Sequence, residues 1–160
     1  MLAFALKMIT DQLQRVLHAA ARLNSNTGKY ERGLSQLLHD DLHWLDELQR
    51  VQYKLVVTVH RCLRHQAPAY LADHCVLISD VIGRHRLHLR LAAHHQLTVP
   101  RVRRSTFGTR AFTAAGHIVW NSMPDYLRHP TVGPEQFQRD LKTHLFGFCA
   151  VHQRCIFSHI

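Results

Sequence analysis

The chain has 160 residues, the length of one ordinary domain, and its 46% apolar content is enough for a hydrophobic core. Twenty basic residues against eleven acidic ones give a formal net charge of +9, and sixteen of the basic residues are arginines. Because guanidinium groups make planar, bidentate contacts with phosphate, this composition favours a nucleic acid as partner over an acidic protein surface or an anionic lipid.

The composition also argues against a secreted or membrane-inserted protein. Four cysteines without a secretory segment do not form a disulfide framework, which indicates a reducing, intracellular location, nuclear or cytoplasmic. The apolar run at residues 1–9 is too short to span a bilayer, and its cation, Lys7, follows the apolar stretch. No membrane insertion is therefore expected.

Apolar residues at steps of three and four predict an amphipathic helix from Thr10 to the turn at residues 24–28, with Arg15 and Arg22 on its other face. The predicted apolar stripe of this helix consists of Leu13, Val16, Leu17, Ala20 and Leu23. A second, short apolar set at residues 34–38 indicates one or two further helical turns.

The clearest predicted helix follows a capping box made by Asp46 and Gln49 and ends at Pro68. Its apolar stripe consists of Leu48, Val51, Leu55, Val59 and Leu63, with Val56 and Cys62 beside it. Pro68 is also expected to open a short helix at residues 67–71, because proline is tolerated where the backbone amide has no helical partner.

The middle of the chain changes pattern. Residues 76–78 and 97–99 are short and β-branched, and the alternation over residues 99–104 permits a strand or an extended arm. The stretch from Ala111 to Trp120 is small and apolar enough to be buried. Helix and strand are poorly separated here by sequence.

Toward the C-terminus, Pro124 is expected to form a turn that enters a short helix. A last helix is predicted at residues 134–146, with Phe137, Leu141 and Leu145 at spacings of four, whereas the tail at residues 147–160 shows no period. The predicted fold is mainly α: one small helical domain with a short irregular or β-containing basic segment in its middle.

The basic segment, Val81–Pro124, has no aspartate or glutamate, and its arginines are expected to contact phosphate groups. These arginines are Arg84, Arg86, Arg90, Arg101, Arg103, Arg104 and Arg110. Alternatively, they form a solvated face and pair with acids elsewhere in the fold. Phe107, Phe112 and Trp120 either stack on bases or belong to the core, and for Trp120 the core is favoured.

Two short segments contain residue types that can bind metal ions, but their spacing does not indicate a metal site. Asp40 and Asp41 follow His39, but a lone carboxylate pair before a helix is better explained as a helix cap. The tail carries an array whose spacing is too tight for common zinc sites: Cys149, His152, Cys155 and His159. No phosphate-binding glycine loop and no nucleophile motif is present, so no catalytic residue, metal or cofactor is predicted.

Eight segments, taken in order, resemble the C-terminal region of reverse transcriptases from non-LTR retrotransposons of the jockey-like kind. They are Leu13–Leu23, Leu38–Leu45, Arg50–Leu55, Ala67–Leu71, Val99–Arg101, Phe107–Phe112, Val119–Pro124 and Phe137–Phe146. The resemblance covers residues 11–146 and leaves an N-terminal extension at 1–10 and a tail at 147–160. Asp46, His117 and Met123 depart from the residues usual in that family.

The resemblance implies a thumb or connecting region that follows the polymerase palm and holds the template and primer duplex. The family's catalytic aspartates lie upstream of this region, so the resemblance implies a non-catalytic fragment. Arg101, Arg103, Arg104 and Arg110 are then expected to contact the phosphate backbone. Two alternatives stay open. The first is a structural or interaction protein in which an incompletely covered apolar stripe recruits a helix from a partner or a second copy, the stripe being formed by Leu48, Val51, Leu55 and Val59. The second is a relic with no selected role.

Overall fold

A computed structural model describes residues 2–28, 30, 33–34, 37–81, 95–101 and 111–157, with side chains described only between residues 9 and 147. The fold is mainly helical, as predicted from the sequence. The chain divides into two compact units. The first unit comprises Ala3–Val51 and Thr143–Ile160, and the second comprises Gln52–Lys142.

Six α-helices have bounds within the described residues, and one of them lies inside the basic segment. They are α1 (Leu2–Ser25), α2 (Glu47–Leu63), α3 (Ala69–Ala72), α4 (Phe112–Ser122), α5 (Asp125–Arg128) and α6 (Pro134–Phe157). A π-helical turn (Leu37–Asp41) precedes α2, and a 3₁₀ turn (Ile78–Asp80) follows α3.

Two helices are longer than the sequence predicted. Helix α1 begins at Leu2 and not at Thr10, and α6 continues through the tail to Phe157. Once a helix has formed, each added residue gains one hydrogen bond, and residues 148–157 contain no glycine or proline to stop it. The sequence shows no period in the tail, and the structure continues the last helix through it to Phe157.

The core of the first unit lies against a narrow face of α1. Leu17 and Ala21 are buried together with Leu38 of the π-helical turn, and Leu34, Leu37, Leu42 and Trp44 pack around them. Among the five residues of the predicted α1 stripe, only Leu17 is buried, and the others are exposed. Because Ala21 has almost no side chain, the turn can approach this face closely, which explains why the core is centred there.

The start of α2 is held by side-chain hydrogen bonds. The backbone amide of Asp46 donates to Oε1 of Gln49 at 3.2 Å, which is one of the bonds expected of the predicted capping box. Gln14 of α1 adds two bonds: its Nε2 donates to Oδ1 of Asp46 at 2.8 Å, and its Oε1 accepts from the Glu47 amide at 2.9 Å. No local pattern in the sequence indicates this contribution from Gln14.

The core of the second unit is built from α2, α4 and α6. Its most deeply buried side chains include Val56, Val59, Cys62, Leu97, Ala114, Ala115, His117, Trp120, Leu127, Phe137 and Leu141. Gly116 permits α4 to approach α2, since a Cβ at this position would lie 3.2 Å from a methyl group of Val59. The predicted burial of Phe137, Leu141 and Trp120 is confirmed.

The buried side of α2 is displaced from its predicted stripe. Val56, Val59 and Cys62 are buried, whereas Leu48 is 47% exposed. The helix also ends at Leu63, five residues before Pro68. His65, which has a left-handed backbone conformation, terminates the helix, and the backbone amide of Gln66 donates a hydrogen bond to the Arg61 carbonyl at 2.9 Å.

Candidate nucleic-acid interface

An antiparallel backbone bridge joins the chain before residue 82 to the chain after residue 94. Leu77 pairs with Leu97, the amide of Ile78 donates to the Gln96 carbonyl at 2.9 Å, and the amide of Thr98 donates to the Val76 carbonyl at 3.0 Å. The two β-branched segments singled out in the sequence thus meet in one bridge. Of the two paired segments, only residues 97–99 belong to the basic segment.

Helix α4 clamps the second of these segments through Asn121. The Asn121 side chain accepts a hydrogen bond from the Leu97 amide and donates one to the Leu97 carbonyl, both at 2.8 Å. Leu97 itself is fully buried. An asparagine amide has both a donor and an acceptor, so it satisfies the two backbone groups of one residue as a neighbouring strand would.

Two further residues of α4 extend this clamp. The indole Nε1 of Trp120 donates to the His95 carbonyl at 3.0 Å, and Nδ1 of His117 donates to the Thr98 carbonyl at 2.8 Å. Residues 117, 120 and 121 lie three and four positions apart and share one face of the helix. We call His117, Trp120 and Asn121 the α4 clamp.

His117 is held in its neutral form within this clamp. Burial lowers its pKa from the usual value of 6.5, although the bond to the Thr98 carbonyl opposes the shift. Because Nδ1 carries the proton that is donated to Thr98, Nε2 is the unprotonated nitrogen, and it is buried with no hydrogen-bond partner among the described residues. His117 therefore positions the backbone and adds no positive charge.

Arg128 closes the C-terminal end of α4 and is not available to a ligand. Its side chain is buried, donates to the Asn121 carbonyl at 3.2 Å and forms an ion pair with Asp125. Its role is structural, in contrast to Arg101, which is exposed three residues beyond Thr98 of the clamped segment.

The structure therefore describes the position of one predicted phosphate-binding residue, Arg101. The other six lie outside the described residues: Arg84, Arg86, Arg90, Arg103, Arg104 and Arg110. They belong to residues 82–94 and 102–110, which the sequence places on either side of the clamped segment.

The aromatic residues of the segment differ in their roles. Trp120 is 2% exposed, and its ring lies 6.1 Å from that of Phe137, so it belongs to the core and does not present a face to bases. Phe112 is half-buried, and its ring would lie 3.2 Å from a Cβ added at Gly116. Phe107 lies outside the described residues.

A shallow groove between α2 and α6 was not predicted from the sequence. It has a volume of about 360 Å³ and is lined by Tyr53, Glu135, Gln138, Arg139 and Lys142. The Tyr53 hydroxyl donates to Oε1 of Gln138 at 3.5 Å. The two cationic residues of this groove, Arg139 and Lys142, lie more than eighty residues from Tyr53 in the sequence, so no local sequence pattern could have linked them to it.

The other side chains with possible chemistry offer no assembled site in the described part of the chain. Asp40 and Asp41 are exposed, and among the described residues no three metal-ligating side chains lie close enough to hold an ion. Burial raises the pKa of Cys75 to about 12, so its thiol is protonated at neutral pH and is a poor nucleophile. The side chains of the tail array lie outside the described residues.

No helix among the described residues has the length and apolar content to cross a membrane. Comparisons of this chain with models of protein families, with curated proteins and with solved structures give no match. The resemblance to a reverse transcriptase thus rests on the eight sequence segments alone.

Proposed function

We propose that this chain is a non-catalytic nucleic-acid-binding fragment derived from an RNA-directed DNA polymerase of a non-LTR retrotransposon. It contacts the phosphate backbone of a template and primer-like duplex through the arginines of the basic segment. Arg101, Arg103, Arg104 and Arg110 form the centre of this surface.

The observation that carries the proposal is the distribution of charge between the two units. The second unit, Gln52–Lys142, has thirteen basic and five acidic residues, and it therefore holds eight of the nine net positive charges. The first unit has seven basic and six acidic residues and is nearly neutral. A charge gathered in one unit attracts a polyanion more strongly than the same charge spread over the chain.

The acids of the second unit are too few to neutralise its arginines. Asp125 is already paired with the buried Arg128, and Asp140 accepts a hydrogen bond from Gln136. Arg64 is likewise engaged, since its guanidinium donates to the Pro130 and Val132 carbonyls. This counts against the alternative in which the seven arginines only pair with acids in their own fold.

The α4 clamp supports the proposal in a second way. It secures residues 95–98 to a buried helix immediately before Arg101. A cation anchored on a rigid element loses less conformational entropy on binding than one on a free tail. The proposal thus assigns the clamp a positioning role and assigns the contacts with phosphate to arginine.

The test is binding to an RNA/DNA duplex over a salt series. Seven phosphate contacts would reduce the affinity by about 10³ to 10⁴ between about 50 and 200 mM salt. Replacing Arg101, Arg103, Arg104 and Arg110 by alanine is expected to reduce the slope of log affinity against log salt by about 3 to 4. An affinity that barely changes with salt, or that survives the fourfold replacement, would refute the proposal.

A control variant with the same loss of charge tests whether binding depends on the arginines of the basic segment or on net charge alone. Lys54, Arg61, Arg139 and Lys142 are exposed cations of the same unit outside the basic segment, and their replacement by alanine removes the same four charges. This control variant is expected to lose much less affinity for the duplex than the fourfold arginine variant. If it loses as much affinity as the arginine variant, binding follows net charge or uses the α2–α6 groove, and the assignment to the basic segment is wrong.

The second candidate function is that of an interaction protein with an exposed apolar helix face. The α2 stripe proposed for this role is mostly covered in its second half, where Val59 is buried and Leu55 is half-buried, although Leu48 stays exposed. A longer exposed apolar row lies on α1, and it is this row that favours the second candidate.

A further inference from the structure

Helix α1 carries a row of apolar side chains that its own unit leaves uncovered. Ile9 is 51% exposed, Leu13 45%, Val16 65% and Leu23 86%. Ala20, which continues the row, is also exposed. The core of the first unit uses other positions of this helix, Leu17 and Ala21, and so it does not cover the row.

The spacing of this row is that of a coiled-coil seam. Its residues are separated by alternating steps of four and three, at positions 9, 13, 16, 20 and 23, and the same steps extend back in the sequence to Leu6 and Leu2. Such a repeat over three heptads keeps the apolar seam facing a second helix along its whole length. A helix of 24 residues is about 36 Å long.

The residues that flank the seam identify the kind of helix that fits it. In the heptad these flanking positions are occupied by Gln12 and Ala19 on one side, and by Thr10, Leu17 and Asn24 on the other, all uncharged. A charged partner helix therefore finds no complementary charge here. An identical seam meets no like-charge repulsion, which is the usual barrier to self-pairing.

The charge distribution of the chain favours the same occupant. The seam belongs to the first unit, which is nearly neutral, whereas the second unit carries a net charge of +8. Two copies that associate through the α1 seam do so without using residues of the strongly cationic unit.

We propose that the α1 seam binds the α1 seam of a second copy of this chain, giving a two-fold symmetric dimer. Leu17 and Ala21 of α1 are buried in the core of the first unit, so the second copy contacts the exposed row beside them. Val16 lies at the middle of the exposed row, so it lies near the centre of the paired seam whether the two helices run parallel or antiparallel. This proposal is independent of nucleic-acid binding.

The test is the mass of the nuclease-treated full-length chain by light scattering or sedimentation, over a concentration series at low and high salt. The expected result is a species of twice 18.6 kDa that persists at high salt, because burial of an apolar seam is not screened. A mass of 18.6 kDa throughout, or a dimer that dissociates at high salt as a nucleic-acid bridge would, overturns the proposal.

Variants at one position make the test specific. Val16→Glu is expected to weaken dimerisation at least tenfold, whereas the neighbouring Arg15→Glu, also at an exposed position but outside the seam, leaves the dimer intact. A mixture of the Val16→Glu and Val16→Lys chains is expected to restore a mixed dimer, which only correctly folded chains with facing seams can form. A dimer that survives Val16→Glu, or the absence of a mixed dimer, overturns the proposal.

Discussion

Acidification is expected to destabilise the second unit through His60 of α2. The His60 ring is stacked on Phe137, with 3.9 Å between ring centroids and 8° between planes, and Nε of Arg64 donates to its Nε2 at 3.2 Å. Burial, followed by the neighbouring Arg64 cation, lowers the pKa of His60 from 6.5 to about 4. In the folded chain His60 is therefore neutral at pH values where an unfolded histidine is protonated.

The sign of the effect follows from this difference in pKa. As the pH falls below 6.5, the unfolded state binds a proton at this position before the folded state does, so stability decreases until the pH passes below the folded pKa of about 4. With 1.36 kcal/mol per pKa unit, the free energy of unfolding falls by about 2 kcal/mol between about pH 7.5 and pH 5. This is a large part of the 5 to 15 kcal/mol typical of a domain.

The measurement is urea unfolding followed by circular dichroism at both pH values, for the parent chain and for His60→Gln. Glutamine still offers an acceptor to Arg64 but binds no proton, so the variant is expected to lose about 2 kcal/mol less than the parent on acidification. Burial also lowers the pKa of His18, His117 and His144, but these are common to both chains and cancel in the comparison. Equal losses in the two chains would refute the reasoning.

Substitutions in α4 and α6 test the packing within each unit. Asn121→Ala leaves the buried amide and carbonyl of Leu97 without partners, so it is expected to lower the free energy of unfolding in urea by about 2 to 4 kcal/mol. The control Ser122→Ala is expected to lower it by less than about 0.5 kcal/mol. Equal effects of the two substitutions would contradict the role of Asn121 in the α4 clamp. Gly116→Val is expected to destabilise by about 1 to 3 kcal/mol, because its Cβ already meets neighbouring atoms. Gly147→Ala, in open space on a helix, is expected to stabilise by about 0.5 to 1 kcal/mol, and a loss of stability in thermal unfolding would show that the helix is not continuous there.

Local periodicity alone predicted the elements whose apolar residues recur at one helical spacing. The last helix is an example, since Phe137, Leu141 and Leu145 fall at steps of four and all three are buried. The short helix after Pro124 and the pairing of the Asp46 amide with Gln49 are also confirmed, because turns and caps depend on neighbours in the sequence.

Only the tertiary structure decided which face of a helix is buried and which residues distant in the sequence are in contact. The sequence predicted a single apolar face for α1, but a small residue, Ala21, allowed the core to form on one side and leave Val16 exposed on the other. The bond between Asn121 and the Leu97 backbone joins residues 24 positions apart, and no periodicity links them.

The sequence determines the net charge of the chain, whereas the fold determines how that charge is distributed between its compact units. The sequence by itself determined that the chain is strongly cationic, rich in arginine and mainly helical, because composition and periodicity are properties of the chain as written. Only the tertiary structure decided that eight of its nine net charges belong to one compact unit and that an uncharged seam belongs to the other. The physical reason is that compact units form from contacts between distant residues, and those contacts decide which charges share a surface.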